Sequence, residues 1–223
     1  MRLLTASIVS IFLFAQTSLA QSFNYVDPAI ISPAFLDKPI QKDDPSLEAQ
    51  VNEVVKLQQN ATKKDLKEAD AEAHMTPDLV LSTIEGLSNI KKFPKTNQLI
   101  NKVDSDCHTI SGQAKAYWNT ERPFQVSDKI QALVEKPNNA SYPSGHTTCS
   151  RVVAEVLGQV FPNKREILRE RAAAIASHRI IAGVHWPQDI AGGKQLAMLI
   201  LGALQQSAAY QADLKAAIAE QAK

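Results

Sequence analysis

Arg179-IIAGV-His185-WPQ-Asp189 brings a guanidinium, an imidazole and a carboxylate into one short segment. Read as a helix, it sets His185 and Asp189 four residues apart on one face. The carboxylate then accepts a hydrogen bond from one ring nitrogen and leaves the other free to attack, which makes His185 an oriented nucleophile. Back along the chain, Pro143-Ser144-Gly145-His146 reads as a helix start. Its exposed backbone N–H groups and positive dipole end attract an anion, and Gly145 lets the backbone approach closely. His146 is placed to give a proton to a departing alkoxide. Further back, Lys115-AYWNTE-Arg122-Pro123 spaces two cations by seven residues, two helical turns on the same face. Arg suits planar arrays of phosphate oxygens, whereas Lys is a point charge. Lys115, Arg122 and Arg179, two imidazoles and a carboxylate meet the needs of in-line phosphoryl transfer to histidine.

Each of these residues also has a plainer reading. A histidine on a helix, whether His146 or His185, is commonly a hydrogen-bonded structural residue. Lys115 and Arg122 fit a solvated helix face, and Ser144-Gly145 fits a simple helix start, serine being a favoured N-cap. His178, His185 and Asp189 have metal-ligand chemistry, but Arg179 in their midst argues against a metal.

The three segments in register, K-x6-R-P, P-S-G-H and S-R-x5-H-x3-D, resemble the type 2 phosphatidic acid phosphatase superfamily, and most of all its soluble branch, the class A bacterial non-specific acid phosphatases. One position departs: His178 stands where the pattern has serine, with Ser177 one place earlier. The resemblance implies an all-α fold, a single compact helical domain like the acid phosphatase/vanadium haloperoxidase bundle. It implies an acid phosphatase that hydrolyses small phosphate monoesters through a phosphohistidine, with no metal or other cofactor. His185, His146 and Asp189 would be catalytic, and Lys115, Arg122, Ser144, Gly145 and Arg179 would bind phosphate. His178 either replaces the serine as a donor, adds charge to the site, or sits on the next helix face without touching substrate. Three alternatives share the pattern: a lipid phosphate phosphatase, a vanadate haloperoxidase, and an inactive phosphate-binding module.

Arg2, an apolar run from Leu3 to Ala15 and the small residues of Ser18-Leu19-Ala20 form a secretory signal peptide over residues 1–20, which implies a periplasmic or secreted protein with no stable membrane insertion after cleavage. Cleavage would leave 23 Lys and Arg against 23 Asp and Glu, since it takes Arg2 from the 24 basic residues and no acid. A neutral chain offers no basic field for nucleic acid. Homo-oligomerisation stays open. Cys107 and Cys149 are expected as a disulfide in an exported protein, or otherwise as two buried thiols.

Helical periodicity dominates and strand alternation is scarce. Residues 21–43, with Pro28, Pro33 and Pro39, read as an extended arm ahead of a helical domain over 44–223. Residues 45–74 read as one or two helices broken near Asn60, and Thr76-Pro77-Asp78 and Pro94 as further starts. A helix over Ser111–Glu121 would carry Lys115, and Gln125–Val134 would be a short helix. Lys136–Pro143 reads as a polar loop, Ser144–Phe161 as a helix, and Pro162-Asn163 as the break before an Arg-rich helix to Ile181. Ile190–Ala208 is expected as the central core helix, and Gln211–Lys223 as a surface helix or frayed tail. Asn139-Ala140-Ser141 fits a glycosylation pattern that a bacterial origin would leave silent.

Overall fold

Prolines and capping side chains set most helix starts. Pro77, Pro94 and Pro187 stand at the first turn of α3 (Pro77–Leu81), α4 (Pro94–Trp118) and α8 (Pro187–Gln206), where a missing N–H costs nothing. Thr62 and Asp65 form a reciprocal capping box at α2 (Lys63–Ala71), which follows α1 (Leu47–Gln59) across a break at Asn60. Ser144 caps α6 (Gly145–Val160) and Ser207 caps α9 (Ala208–Glu220). The remaining helices are α5 (Pro123–Val126) and α7 (Arg165–Ile181). This computed structural model describes residues 23–221; the expected signal segment lies outside the described residues. Among the described residues no strand forms, so the fold is all-α.

The core sits around α6, which packs on α4, α7 and α8. Eleven of its sixteen residues are buried, including Val152, Val153, Val156, Leu157 and Val160. The expected central helix, α8, buries eight of twenty and leaves Met198 66% exposed, so it is a flanking layer. Its apolar composition comes largely from small residues that allow close packing. A Cβ on Gly193 would lie 2.8 Å from the Ser144 carbonyl oxygen and 2.9 Å from Thr147 Cβ, and one on Gly192 would strike the Tyr142 ring at 2.3 Å. These two glycines let α8 close on the start of α6.

Three further ties hold α4. A disulfide joins Cys107 of α4 to Cys149 of α6 with Cα atoms 5.7 Å apart, bridging a separation of 42 residues. Closing a loop of that size removes about 4 kcal/mol of unfolded-state entropy on the chain-entropy account. Next to it, the Asp106 carboxylate accepts from the backbone N–H groups of Asn24 (2.8 Å), Tyr25 (2.7 Å) and Val26 (3.1 Å). That contact, with Tyr25 and Val26 buried, fastens the incoming arm to α4. At the other end of α4, Glu220 accepts from Lys95 N (2.9 Å) and Thr96 N (3.1 Å), capping the helix. The last helix is therefore docked rather than frayed, with Tyr210, Leu214 and Ala217 buried.

Two sequence expectations change. The segment from Gln125 to Val134 is helical only as far as Val126, because Ser127 turns to extended geometry and its Oγ accepts from Lys129 N at 3.4 Å. The helix carrying Lys115 stops at Trp118, where Asn119 adopts φ 44° in the left-handed region.

Gly193→Ala is expected to destabilise the protein by about 1–3 kcal/mol, because the new methyl meets backbone as well as side chain. Thermal unfolding of the variant beside Gly202→Ala, whose Cβ would meet nothing within 4 Å, checks this; equal melting temperatures would contradict the close approach.

Candidate active site

The candidate nucleophile is placed by a backbone turn. Gly183 ends α7 with φ +69°, and any Cβ there would lie 2.2 Å from the Gln131 carbonyl oxygen. The turn sends His185 out of the helix before Pro187 starts α8, so His185 and Asp189 are not partners along one helix face. Instead, Asp189 sits in the first turn of α8, where its Oδ2 accepts from Trp186 N at 2.8 Å. The same oxygen accepts from Ser141 Oγ at 2.6 Å and lies 3.0 Å from His185 Nδ1. With Nδ1–H donated to the carboxylate, His185 Nε2 carries the lone pair, and it faces Arg122 Nη1 at 3.4 Å.

Arg122 is not on the helix of Lys115. It caps α5 in extended geometry, after the chain has reversed at Asn119, and approaches His185 from the side. Its guanidinium donates to Asn139 O (2.9 Å), Asn139 Oδ1 (2.7 Å), Ala140 O (3.2 Å) and Val184 O (2.5 Å). Lys115 Nζ donates to Ala140 O (2.6 Å) and Ser141 O (2.9 Å). Arg179 donates through Nη2 to Ala69 O, while its buried Nε–H has no partner.

At the start of α6 the two plain and functional readings divide between neighbours. Ser144 is fully buried, its Oγ accepts from Thr147 N (3.3 Å), and its own N–H donates to Asp189 O at 3.0 Å. Ser144 is thus a cap and a link to α8, and does not face the cavity. Gly145 and His146 do, and their N–H groups lie in the first turn of α6, where no intrahelical carbonyl takes them. The cavity, of about 470 Å3, is lined at its base by Lys115, Arg122, Gly145, His146, Arg179 and His185. Residues 73–75 and 135–138 form its mouth, together with His108.

Burial, with repulsion from neighbouring cations, pushes Lys115, Arg122, His146 and His185 down, and burial lowers Arg179. Lys115 falls to about 7, first through burial and then through Arg122, and Arg122 falls to about 10, also chiefly by burial. His146 is pushed down to about 3 by burial and Arg179, and His185 lies well below its ordinary value through burial, Arg122 and Lys115. Burial lifts Asp189 to about 6 against the downward pull of Ser141 and Trp186 N–H. Asp189 acts on Lys115 and Arg122, whereas the acids that act on Arg179 are Glu72 and Asp70.

His178 stays out of the cavity. Its Nδ1 lies 2.9 Å from Glu72 Oε2 and its Nε2 3.5 Å from Glu68 Oε2. Glu68, Glu72 and His178 have the chemistry of a metal site, but Arg171 Nη1 already lies 2.7 Å from Glu72 Oε1 and supplies the cation there. In a second such group, Asp104, His108 and Cys149, the cysteine is tied up in the disulfide.

Three contributors escaped the sequence reading. Ser141 steadies Asp189, Asn139 grips Arg122, and Glu72 offers its carbonyl oxygen to His146 Nε2 at 2.9 Å. The Asn139-Ala140-Ser141 triplet drew notice only as a glycosylation pattern, and a backbone carbonyl leaves no mark in a sequence.

The chain is 26% identical over 210 residues to the non-specific acid phosphatase of Salmonella typhi, covering 90% of this chain and 84% of that protein. It is 29% identical over 164 residues to an acid phosphatase of Zymomonas mobilis, covering 70% of this chain and 62% of that protein. Among solved structures, a bacterial vanadium-dependent iodoperoxidase shares the fold with a TM-score of 0.59 at 16% identity over 77% of this chain; the match spans 51% of the peroxidase. A transmembrane PAP2-type phosphatidylglycerolphosphate phosphatase from Bacillus subtilis matches with a TM-score of 0.54 at 16% identity, over 74% of this chain and 87% of that one. No helix among the described residues of this chain is long and apolar enough to cross a membrane. Residues 105–212, a span that holds Lys115, Arg122, His146, Arg179, His185 and Asp189, match the sequence profile of the PAP2 superfamily.

Proposed function

We propose that the protein is an exported acid phosphatase that hydrolyses phosphate monoesters through a phosphohistidine on His185, without a metal. The observation that carries the reading is the ring of Lys115, Arg122 and Arg179 around His185 Nε2, with one guanidinium N–H left unmade. Similarity to proteins named acid phosphatases supports the substrate class. The residue 1–20 pattern and the Cys107–Cys149 disulfide support export to an oxidising compartment.

In the first step, His185 Nε2 attacks phosphorus as the ester P–O bond breaks. Asp189 steadies the positive charge that develops on the ring, through Nδ1–H. The three cations and the Gly145 and His146 N–H groups receive the equatorial oxygens, the electrostatic work that dominates phosphoryl transfer. His146 donates its Nδ1 proton to the leaving alkoxide, then takes a proton from the water that cleaves the phosphohistidine. In the empty cavity His146 is held neutral by burial and Arg179. A bound phosphate dianion reverses the repulsion from Arg179 and restores the proton that the step needs.

Acid-quench trapping with labelled substrate in the presence of EDTA should place phosphate on His185, and His185→Ala should abolish both label and turnover while the fold persists. Label on serine, or activity lost to EDTA and restored by a divalent cation, would overturn the mechanism.

The value of about 7 for Lys115 predicts an alkaline limit. Lysine is charged below its pKa, so phosphate binding is fully supported at acid pH and weakens as pH rises through about 7. For an aryl phosphate, whose second ionisation near about 6 is then complete, kcat/KM should fall above neutrality. A flat kcat/KM profile to pH 9 would remove Lys115 from this role.

His146→Ala should cost an alkyl phosphate about 10²–10⁴-fold in kcat/KM, the usual worth of general acid catalysis. p-Nitrophenyl phosphate, whose leaving group departs with little help, should lose distinctly less. Equal losses would assign His146 to phosphate binding alone.

A further inference from the structure

His178, the one departure from the family pattern, lies against the short turn that ends α2. The Glu72 side chain there is 1% exposed, a costly place for a carboxylate unless it is paired on every side. It is so paired. Oε2 lies 2.9 Å from His178 Nδ1, and Oε1 lies 2.7 Å from Arg171 Nη1. Burial raises the Glu72 carboxyl, but His178 and Arg171 outweigh burial and hold it below its ordinary value. Arg171 in turn donates through Nε to Leu79 O at 2.9 Å, and Arg179 donates to Ala69 O one turn before Glu72. Three side chains of α7 therefore grip the end of α2. The C-terminal end of α2 faces Arg171 and Arg179, the favourable sense of the helix dipole.

Glu72 also touches the active site, through its backbone. Its carbonyl oxygen is 2.9 Å from His146 Nε2. A carbonyl only accepts, so Nε2 must carry the hydrogen and Nδ1 is the atom left to exchange a proton with substrate. The ring of the general acid is thus oriented by a residue whose own position is fixed by α7.

We infer that Glu72 is a positioning residue for His146, clamped by His178 and Arg171, and that His178 replaces serine because an imidazole reaches across to α2. A serine side chain at 178 is shorter by several atoms and would leave the Glu72 carboxylate with Arg171 alone. Glu68 and Asp65 of α2 are the other charged groups facing His178, so its ring also draws the preceding turn inward.

This inference rests on the general-acid role given to His146 above. It is tested with kcat/KM for glycerol phosphate against p-nitrophenyl phosphate in Glu72→Ala, Glu72→Gln and His178→Ser, with folding followed by circular dichroism. Glu72→Ala and His178→Ser should lose about 10–10²-fold on the alkyl ester, the scale of a displacement of about 1 Å, and distinctly less on the aryl ester. Glu72→Gln keeps an acceptor for one partner and should recover part of the loss. In a His146→Ala background the same changes should leave the alkyl-to-aryl ratio where His146→Ala alone puts it. Equal losses on both esters, or a lower melting temperature with an unchanged ratio, would make the cluster structural and overturn the proposal. If His146→Ala itself spares the ratio, the general-acid reading fails; if only the Glu72 and His178 variants spare it, that reading stands and Glu72 is dismissed. Should Glu72→Ala fail to fold, His178→Ser carries the comparison alone.

Discussion

Three buried cations that repel one another, with one carboxylate among them, are the constraint around which the fold is arranged. Lys115, Arg122 and Arg179 come from three separated segments, and each is held by backbone carbonyls rather than by an acid. Carbonyl dipoles satisfy the N–H groups without neutralising the charge, so the cavity keeps its pull on an anion. A fixed acid beside each cation would stabilise the empty protein and weaken its hold on phosphate. The depressed values of Lys115 and Arg122 show where that balance has been left.

The carbonyls have to be delivered accurately, and much of the architecture does this. The 139–141 loop turns four acceptors onto Lys115 and Arg122, and its far end is pinned when Ser141 Oγ reaches Asp189 and Ser141 N donates to Thr120 O at 2.9 Å. The glycine pair of α8 lets that loop and the start of α6 come together. The disulfide adds a covalent tie between the helix of Lys115 and the helix of His146.

The helical class, the core face of α6 and the cavity residues were legible in the sequence because each has a local cause: apolar periodicity, an N-cap serine, or side chains whose chemistry survives any backbone path. The paths were not legible. The seven-position spacing of Lys115 and Arg122 suggests two helical turns, but Asn119 takes a left-handed conformation that propensity alone does not announce, and the arginine arrives from another direction. Likewise the spacing of His185 and Asp189 suggests one helix, whereas Pro187 begins α8 between them and the carboxylate reaches back. The pairs meet in both cases, by routes set by turns. Ser144 went the other way: its Oγ caps α6 through Thr147 N, and its own N–H is given to Asp189 O instead of to a phosphate. Asn139, Ser141 and Glu72 act through tertiary proximity, which no spacing rule reaches.

The mouth of the cavity has a different ancestry within the chain from its base. Its walls, residues 73–75 and 135–138, lie in connecting segments and supply none of the three cations and neither of the two histidines assigned to the chemistry. Loops of this kind tolerate substitution and insertion far better than the elements they join. On the proposed reading, the part of a substrate that differs from one phosphate ester to the next meets these loops and His108, while the phosphoryl group, common to all of them, meets the base. Choice of substrate and constancy of reaction would then be carried by largely separate stretches of chain, and the first could drift over generations without disturbing the second.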